Sequence, residues 1–212
     1  MSPNFDLERQ TGVDYVVGID EVGCGPWAGP VMVGAVIFEK RKWDMIQKTI
    51  PLNDSKKLTP LKREKLFDQI KDHASHVAVA SASVTEIDHM NIARAVALAT
   101  KRCLEQLHCS IETLLIDGIR DPKLSYPTQM IVKGDNKSCS IAAASILAKV
   151  TRDRLMQALS LQYPYYSFET NVGYGTQKHR DAIATYGITE HHRRSYAPIK
   201  KWIEENGLLT VE

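Results

Sequence analysis

The chain has no long apolar run and few cysteines, and both absences narrow the class of protein. No segment approaches the roughly 18 consecutive apolar residues of a membrane-spanning helix, and the N-terminus lacks the basic start and apolar stretch of a secretory signal. The four cysteines show neither paired zinc-ligand spacing nor a disulfide framework. We therefore expect a cytoplasmic protein that has no membrane partner.

The chain also has little net charge, a formal value of +2 at pH 7. This balance alone does not indicate a polyanionic partner. Two local clusters of basic residues, at 56–65 and 193–201, are more informative, because each could contact phosphates or form a solvated helix face. The length of 212 residues fits one domain with some appended structure.

Residues 18–30 are glycine-rich and contain two adjacent carboxylates, Asp20 and Glu21, at the end of an apolar run. Adjacent side chains of an extended strand point to opposite faces, so these two act together only where the strand ends. The glycines that follow give the backbone the freedom to re-aim them. This arrangement predicts metal chemistry beside a phosphate.

The same residues match a loose dinucleotide-binding fingerprint through Gly23, Gly25 and Ala28. That fingerprint opens a helix. Here the turn is followed by a β-rich run at 31–38, which predicts a second strand paired with the first as a hairpin. We therefore reject the dinucleotide interpretation.

Periodicity and turn signals predict an α/β fold. Strands are predicted near 15–20, 30–38 and 76–83 and in the apolar runs that end near residues 117 and 132, and helices near 60–72, 85–107, 139–150, 176–186 and 197–206. Thr59 before Pro60 is typical of a helix N-cap, and Thr85 with Asp88 resembles a capping box. An antiparallel pair followed by alternating strands and helices indicates a mixed central sheet flanked by helices.

Two further acids, Asp117 and Asp135, each stand next to a glycine at the end of an apolar run. With Asp20 and Glu21 they can converge on one edge of the sheet. Taken singly, each acid is more often a turn or capping residue. As a set, they provide the hard oxygen ligands that suit Mg²⁺ or Mn²⁺ rather than Zn²⁺.

Seven strings of residues are recognisable together. They are GIDEVG-C-GP-W-AGP at 18–30, DSKKL at 54–58, IDG at 116–118, KGD at 133–135, SIAAASILAKVTRD at 140–153, GYGT at 173–176 and HRRSYAP at 192–198. In this order they closely resemble ribonuclease HII over nearly the whole chain. The resemblance implies a ribonuclease H-like fold with a catalytic core at 1–160 and a C-terminal helical, substrate-binding extension at 161–212.

The resemblance also implies an activity and a set of site residues. The activity is hydrolysis of RNA strands paired to DNA and cleavage 5′ of ribonucleotides embedded in duplex DNA, which leaves 3′-hydroxyl and 5′-phosphate ends. The family's four catalytic carboxylates, which hold two divalent ions, Mg²⁺ or Mn²⁺, fall on Asp20, Glu21, Asp117 and Asp135. The family's substrate-binding residues fall on Gly23, Cys24, Gly25, Lys56, Lys57 and Tyr174.

Three of these assignments have a separate interpretation from the residues alone. Tyr174, which in the family stacks on a deoxyribose and bonds the 2′-hydroxyl, would more often be a packing residue. Lys56 and Lys57, which the resemblance places on phosphates, could belong to a solvated loop. Asp153 is a fifth acid of the matched strings, but it lies inside a predicted helix, and we interpret it as the partner of a structural ion pair with Lys149 or Arg154.

Cys24 departs from the family pattern, because it stands where the family has the arginine of Gly-Arg-Gly. Backbone contacts of the turn could survive, so we expect altered affinity or weaker junction preference rather than loss of the reaction. Two alternatives stay open: a substrate choice like that of ribonuclease HIII, and a nucleic-acid-binding protein without catalysis. Only about fourteen residues precede the first strand, where ribonuclease HIII usually has a large domain, and all four acids are present, so both are disfavoured.

The expected partners are RNA–DNA hybrids and ribonucleotide-containing duplex DNA, bound by a monomer. A sliding clamp is a further candidate partner. The last residues, 207–212, are interpreted as a frayed end rather than as a docking tail.

Overall fold

A computed structural model describes residues 2–207 of the chain, so most of the tail at 207–212 lies outside the described residues. Its centre is a five-stranded sheet formed by β1 (Val16–Val22), β2 (Val31–Ile37), β3 (His76–Ala82), β4 (Thr113–Asp117) and β5 (Thr128–Ile131). The strand order is β3-β2-β1-β4-β5, in which β1, β2 and β3 pair antiparallel and β4 runs parallel to both β1 and β5. The predicted mixed sheet and its opening hairpin are therefore confirmed.

Helices cover both faces of this sheet. They are α1 (Asp6–Gln10), α2 (Trp43–Thr49), α3 (Pro60–His73), α4 (Val84–Met90), α5 (Ile92–Glu105), α6 (Cys139–Gln162), α7 (Phe168–Asn171), α8 (Gln177–Tyr186) and α9 (Ala197–Asn206). One face packs against α5, and the other against α6 with α2 and α3. Among residues 2–207, no helix combines the length and apolarity that crossing a bilayer requires.

The predicted single helix at 85–107 is wrong, because the chain forms two helices there. Asn91 has a φ of 71°, which ends α4, and its side chain accepts a hydrogen bond from the Arg94 N–H to begin α5. The predicted capping box of Thr85 and Asp88 is also wrong. The box lies two residues earlier, at Ser83 and Glu86. The N-cap predicted at Thr59 is confirmed, since its side chain accepts from the Lys62 N–H.

Helix α6 lies unusually close to the sheet. A Cβ atom at Gly18 of β1 would collide with the backbone of Ser140, and one at Gly34 of β2 would collide with the carbonyl of Ala144. The two glycines therefore allow the helix backbone to touch the strands directly. Gly34 is paired with Asp20, so this contact fixes where that carboxylate stands relative to α6.

The C-terminal residues pack on the far half of α6. Met156 of α6 meets the buried C-terminal side chains there, which are Tyr166, Phe168, Ala182, Ile183, Ile188 and Ile199. Ala28 of the glycine-rich turn belongs to the same cluster, and the Trp27 N–H donates to the Gly173 carbonyl (2.8 Å). The turn at 23–30 is thus held between the sheet and the C-terminal helices.

Glu8 of α1, an unpredicted helix, holds the start of α6. Its side chain is fully buried, and its Oε1 accepts from the Ser138 hydroxyl (2.6 Å) and from the Ser140 N–H (2.9 Å). Burial raises the pKa of this carboxyl. The N-terminal segment is therefore part of the scaffold that places α6.

We predict that Glu8→Ala lowers the free energy of unfolding by about 1–3 kcal/mol, because Ser138 and Ser140 lose a buried acceptor. Glu8→Gln keeps a carbonyl oxygen for both donors and removes a charge that burial disfavours, but it places an NH2 group where Oε2 has no partner, so its cost should be smaller than that of Glu8→Ala without vanishing. Urea unfolding followed by circular dichroism measures both. Equal losses in the two variants would contradict this role for the acceptor.

Candidate active site

The four predicted acids meet at one edge of the sheet. β1 and β4 are parallel neighbours, so their carboxyl ends lie side by side and bring Asp20 and Glu21 next to Asp117. Asp135 lies in a short 3₁₀ turn, Gly134–Asn136, that follows β5, the next parallel strand. The Gly134 N–H donates to Asp117 Oδ1 (2.6 Å) and ties this turn to the end of β4.

Burial and neighbouring charges raise the pKa of three of the acids, Asp20, Glu21 and Asp135. Asp20 is only 6% exposed, and burial, followed by the charges of Glu21 and Asp117, raises its pKa well above the usual value. Burial and the charge of Asp117 likewise raise the pKa of Glu21. For Asp135 the pKa is raised by burial and by the charges of Asp54 and Asp117. The site therefore concentrates negative charge that a cation would stabilise.

The donor set fits a hard divalent cation. The four acids present only oxygen atoms, and within residues 2–207 none of them forms a salt bridge with a basic side chain. In the same range, no three histidine, cysteine or carboxylate side chains are grouped closely enough to hold a metal ion in this structure. The acids nevertheless act on one another's charge and have no basic partner, and oxygen ligands of this kind suit Mg²⁺ or Mn²⁺.

The DSKKL segment at 54–58 lies beside these acids. The charge of Lys56 lowers the pKa of both Glu21 and Asp135, opposing the effects of burial and of the acids. Lys57 Nζ donates to Asn136 Oδ1, next to Asp135. Both lysines are exposed, as a phosphate contact requires.

Three neighbours of the acids were not predicted. Asn136 Nδ2 donates to Asp135 Oδ1 (2.7 Å), and Asp54 caps the turn at Ser55–Lys57. The hydroxyl of Ser145 on α6 lies against Asp20, where it lowers the pKa of that acid, and 2.9 Å from the hydroxyl of Ser55. Asp54 and Ser145 belong to the matched strings at 54–58 and 140–153, and Asn136 follows Asp135 directly, which were their signals in the sequence.

The glycine-rich turn and Tyr174 also reach this edge. Cys24 Sγ lies 3.9 Å from Glu21 Oε1, and burial, with the charge of Glu21, raises the pKa of the thiol to about 12. The thiol is therefore protonated and a poor nucleophile. A Cβ atom at Gly25 would lie 3.2 Å from Tyr174 Cε1, so the half-exposed tyrosine ring stands over the turn.

A buried histidine pair holds the backbone of Tyr174. The Thr189 N–H donates to His192 Nδ1 (2.9 Å), so the proton of neutral His192 is on Nε2, which faces His179 Nε2 at 2.9 Å. His179 Nδ1 then donates to the Tyr174 carbonyl (2.9 Å). Burial lowers the pKa of His192 to about 3, which keeps this directed chain of hydrogen bonds neutral.

The basic cluster at 193–201 does not behave as one surface. Arg193 is fully buried and donates to the carbonyls of Gly23, Cys24 and Gly29, so for this residue both the phosphate contact and the solvated face are wrong. A run of basic residues in the sequence does not reveal that Arg193 is buried.

Asp153 forms the predicted ion pair. It accepts from Lys149 (2.7 Å) and lies 3.5 Å from Arg63, whereas Arg154 pairs with Glu64 instead. These contacts account for Asp153 as part of the packing between α3 and α6.

We predict that Asp20→Asn stabilises the metal-free protein. The folded-state pKa of Asp20 lies above the unfolded one, so folding takes up protons and stability falls as the pH rises through the folded pKa. Asp20→Asn should restore the lost free energy of unfolding, about 1.4 kcal/mol for each unit by which folding raises the pKa of Asp20. The gain is measured by unfolding in chelator at pH 8. The gain should shrink as the pH falls toward 4.

Asp153→Asn is the matched control, because it removes an acid from an ion pair rather than from a repulsive cluster. It should lower stability modestly under the same conditions. With Mn²⁺ added, wild type should gain more stability than Asp20→Asn. An Asp20→Asn protein that is less stable than wild type in chelator would show that the carboxylate is not under electrostatic strain.

Comparison with known proteins gives a consistent result. Residues 17–199 match the family model described as Ribonuclease HII. A ribonuclease HII from Bacillus mycoides (strain KBAB4) is 48% identical over 93% of this chain and 74% of its own length. One from Wolbachia sp. subsp. Drosophila simulans (strain wRi) is also 48% identical, over 94% of this chain and 98% of its own.

Solved structures agree with the fold. The ribonuclease H2 of Pyrococcus horikoshii OT3 has a TM-score of 0.77 and 28% identity, and the match covers 90% of this chain and 97% of that one. The ribonuclease HII of Archaeoglobus fulgidus, solved in a complex with PCNA, has a TM-score of 0.71 and 25% identity, and the match covers 88% of this chain and 96% of that one. Bst-RNase HIII in complex with Mn²⁺ has a TM-score of 0.71 and 20% identity, and the match covers 96% of this chain and 74% of that one. At this identity the likeness supports the fold alone.

The family model covers most of the chain, the relatives align over nearly all of it, and the described residues have the ribonuclease H-like sheet. The chain therefore belongs to the ribonuclease HII family of metal-dependent endoribonucleases, which act on RNA–DNA hybrids.

Proposed function

We propose that this protein cuts 5′ of ribonucleotides embedded in duplex DNA, in addition to cleaving the RNA strand of hybrids, and that it uses two divalent ions. The observation that carries this proposal is the convergence of four mutually repelling acids beside the glycine-rich turn and Tyr174. The acids provide the charge for metal binding, and the turn with the tyrosine provides a surface that can test the sugar.

Asp20, Glu21, Asp117 and Asp135 act as ligands rather than as nucleophiles. Divalent ions, when bound, lower the pKa of an attacking water and neutralise the leaving 3′ oxygen. The carboxylates hold such ions through oxygen atoms, and Ser145, Asn136 and the Gly134 N–H orient three of the carboxylates. Attack of water with departure of the 3′ oxygen leaves a 3′-hydroxyl and a 5′-phosphate.

Selection of the ribonucleotide rests on the 2′-hydroxyl, the difference between the two sugars. Gly25 has no side chain to separate the backbone from a sugar, and the ring of Tyr174 lies directly beside it. A ribose lying across these two adjacent groups would meet both the backbone N–H groups of the turn and the tyrosine ring. Gly23, Cys24, Gly25 and Tyr174 are therefore assigned to sugar recognition.

The remaining assignments concern how the nucleic acid is held. Lys56 and Lys57 are exposed beside the acids and are assigned to phosphates of the substrate. We assign residues 1–160 to the catalytic core and 161–212 to an extension that helps hold the duplex. A sliding clamp is proposed as a partner because the similar protein from Archaeoglobus fulgidus was solved with PCNA.

We predict cleavage of a labelled duplex that carries a single ribonucleotide when Mg²⁺ or Mn²⁺ is present, and no cleavage of the all-DNA duplex of the same sequence. An RNA–DNA hybrid, assayed in parallel, reports the family activity. Asp20→Asn should retain less than about 1% of the wild-type rate, since it removes a metal ligand. Asp153→Asn, the matched control, should stay within about threefold.

Two outcomes of this assay would count against the proposal. Cleavage of the hybrid without cleavage of the single-ribonucleotide duplex would restrict the protein to hybrids. A fully active Asp20→Asn protein would remove the assigned metal site.

We predict that Cys24→Arg tightens substrate binding. A charge-assisted contact typically contributes about 1.5–3 kcal/mol, which corresponds to a roughly tenfold to hundredfold change in Kd. The dependence of log K on log salt should steepen by about one phosphate contact. Cys24→Ala, which adds no charge, should bind as wild type does. Fluorescence anisotropy over a salt series measures all three proteins, and equal slopes would refute the contact.

A further inference from the structure

We propose that Arg193 and Tyr196 are positioning residues that set the orientation of the glycine-rich turn for sugar recognition. The inference rests on the proposed function of the turn. It assigns to two residues of the C-terminal segment, about 170 positions away in sequence, a part in substrate selectivity.

The contacts of Arg193 are directed at the turn. Its Nη2 donates to the Gly23 carbonyl (2.6 Å) and to the Gly29 carbonyl (2.8 Å), and its Nη1 donates to the Cys24 carbonyl (3.1 Å). The Tyr196 hydroxyl donates to the same Cys24 carbonyl (2.5 Å) and accepts from Arg193 Nη1 (2.8 Å). Together the two side chains therefore bind the consecutive carbonyls of Gly23 and Cys24 at the centre of the turn.

These hydrogen bonds determine the direction of the N–H groups of the turn. In a trans peptide the C=O and the N–H face opposite sides, and no peptide bond among residues 2–207 is cis. Because the Gly23 and Cys24 carbonyls face Arg193, the N–H groups of Cys24 and Gly25 face away from it. Neither N–H has an acceptor within the described residues. Two adjacent free N–H groups are suited to a phosphate or hydroxyl oxygen.

Arg193 also brings positive charge beneath the turn. Within the described part of the chain it forms no salt bridge, and its guanidinium is satisfied by carbonyls and by Tyr196. A second buried arginine, Arg152, donates to the carbonyls of Ala28 and Pro30 of the same turn. The side chain of Cys24 is uncharged, so the positive charge near the turn comes from the buried Arg152 and Arg193 rather than from a residue of the turn itself.

The test compares two deletions of a hydrogen-bonded tyrosine hydroxyl. Tyr196→Phe removes the hydroxyl that bonds the Cys24 carbonyl, whereas Tyr166→Phe removes one that donates to the Gly187 carbonyl (2.9 Å), away from the turn. We expect Tyr196→Phe to raise KM for the single-ribonucleotide duplex about three- to tenfold, with kcat and the metal-titration midpoint changed less than twofold. Tyr166→Phe should leave all three unchanged.

Arg193→Lys extends the test. Lysine has all its donors on one nitrogen, so it cannot reproduce the spread by which the three guanidinium nitrogens bond the Gly23, Cys24 and Gly29 carbonyls. KM should rise more than in Tyr196→Phe, and the preference for the ribonucleotide-containing duplex over all-DNA in anisotropy competition should fall. Thermal unfolding is measured for every variant, and the Tyr196 and Tyr166 comparison stands by itself where Arg193→Lys does not fold.

The outcomes separate the inference from the proposed function. Wild-type cleavage of the single-ribonucleotide duplex with an unchanged KM in Tyr196→Phe would overturn the inference alone. Equal KM increases in Tyr196→Phe and Tyr166→Phe would also overturn it, since they would report a general loss of packing. A wild-type protein that cuts only the hybrid would overturn the proposed function and, with it, the inference.

Discussion

The direct contact between the backbone of α6 and strands β1 and β2 is the constraint on which the rest of the site depends. Gly18 and Gly34 permit it, since a side chain at either position would push the helix away. The contact places Ser145 against Asp20 and, at the N-terminus of α6, the turn that carries Asp135. Farther along the same helix, Arg152 reaches the carbonyls of the glycine-rich turn. A single packing distance thus sets the four acids and the glycine-rich turn relative to each other.

Charge of opposite sign is separated across this arrangement. Asp20 and Glu21 at the end of β1 have raised pKa values because they are buried and lie close to each other and to Asp117, so they oppose folding in the absence of a cation. The buried arginines lie on the other side of the turn, where carbonyl oxygens rather than carboxylates satisfy them. A salt bridge between the two sets would cancel both charges. Their separation leaves the acids without a neutralising partner and keeps the arginines on the carbonyls that shape the turn.

The sequence was sufficient to predict the features that local pattern determines. Strand ends, the mixed sheet and the acids at one edge follow from apolar runs that stop at a carboxylate and from the family motifs. The break at Asn91 was missed because the apolar period continues across it, and only its positive φ separates the two helices. The fully buried Arg193 was missed for a different reason. Its partners are backbone carbonyls about 165–170 residues away, which no local pattern reports.

The position of Cys24 shows what kind of recognition this turn can support. Its side chain is half-buried, packs against the core beneath β1 and carries a protonated thiol, so it offers a substrate neither charge nor a strong donor. The backbone around Cys24 is polar and fixed. Arg193 and Tyr196 hold the carbonyls of Gly23 and Cys24, and the N–H groups of Cys24 and Gly25 have no acceptor within the described residues. Recognition by fixed N–H groups does not depend on the side chain at position 24. The N–H groups of the turn therefore keep their direction without an arginine there, as long as the C-terminal segment holds the carbonyls.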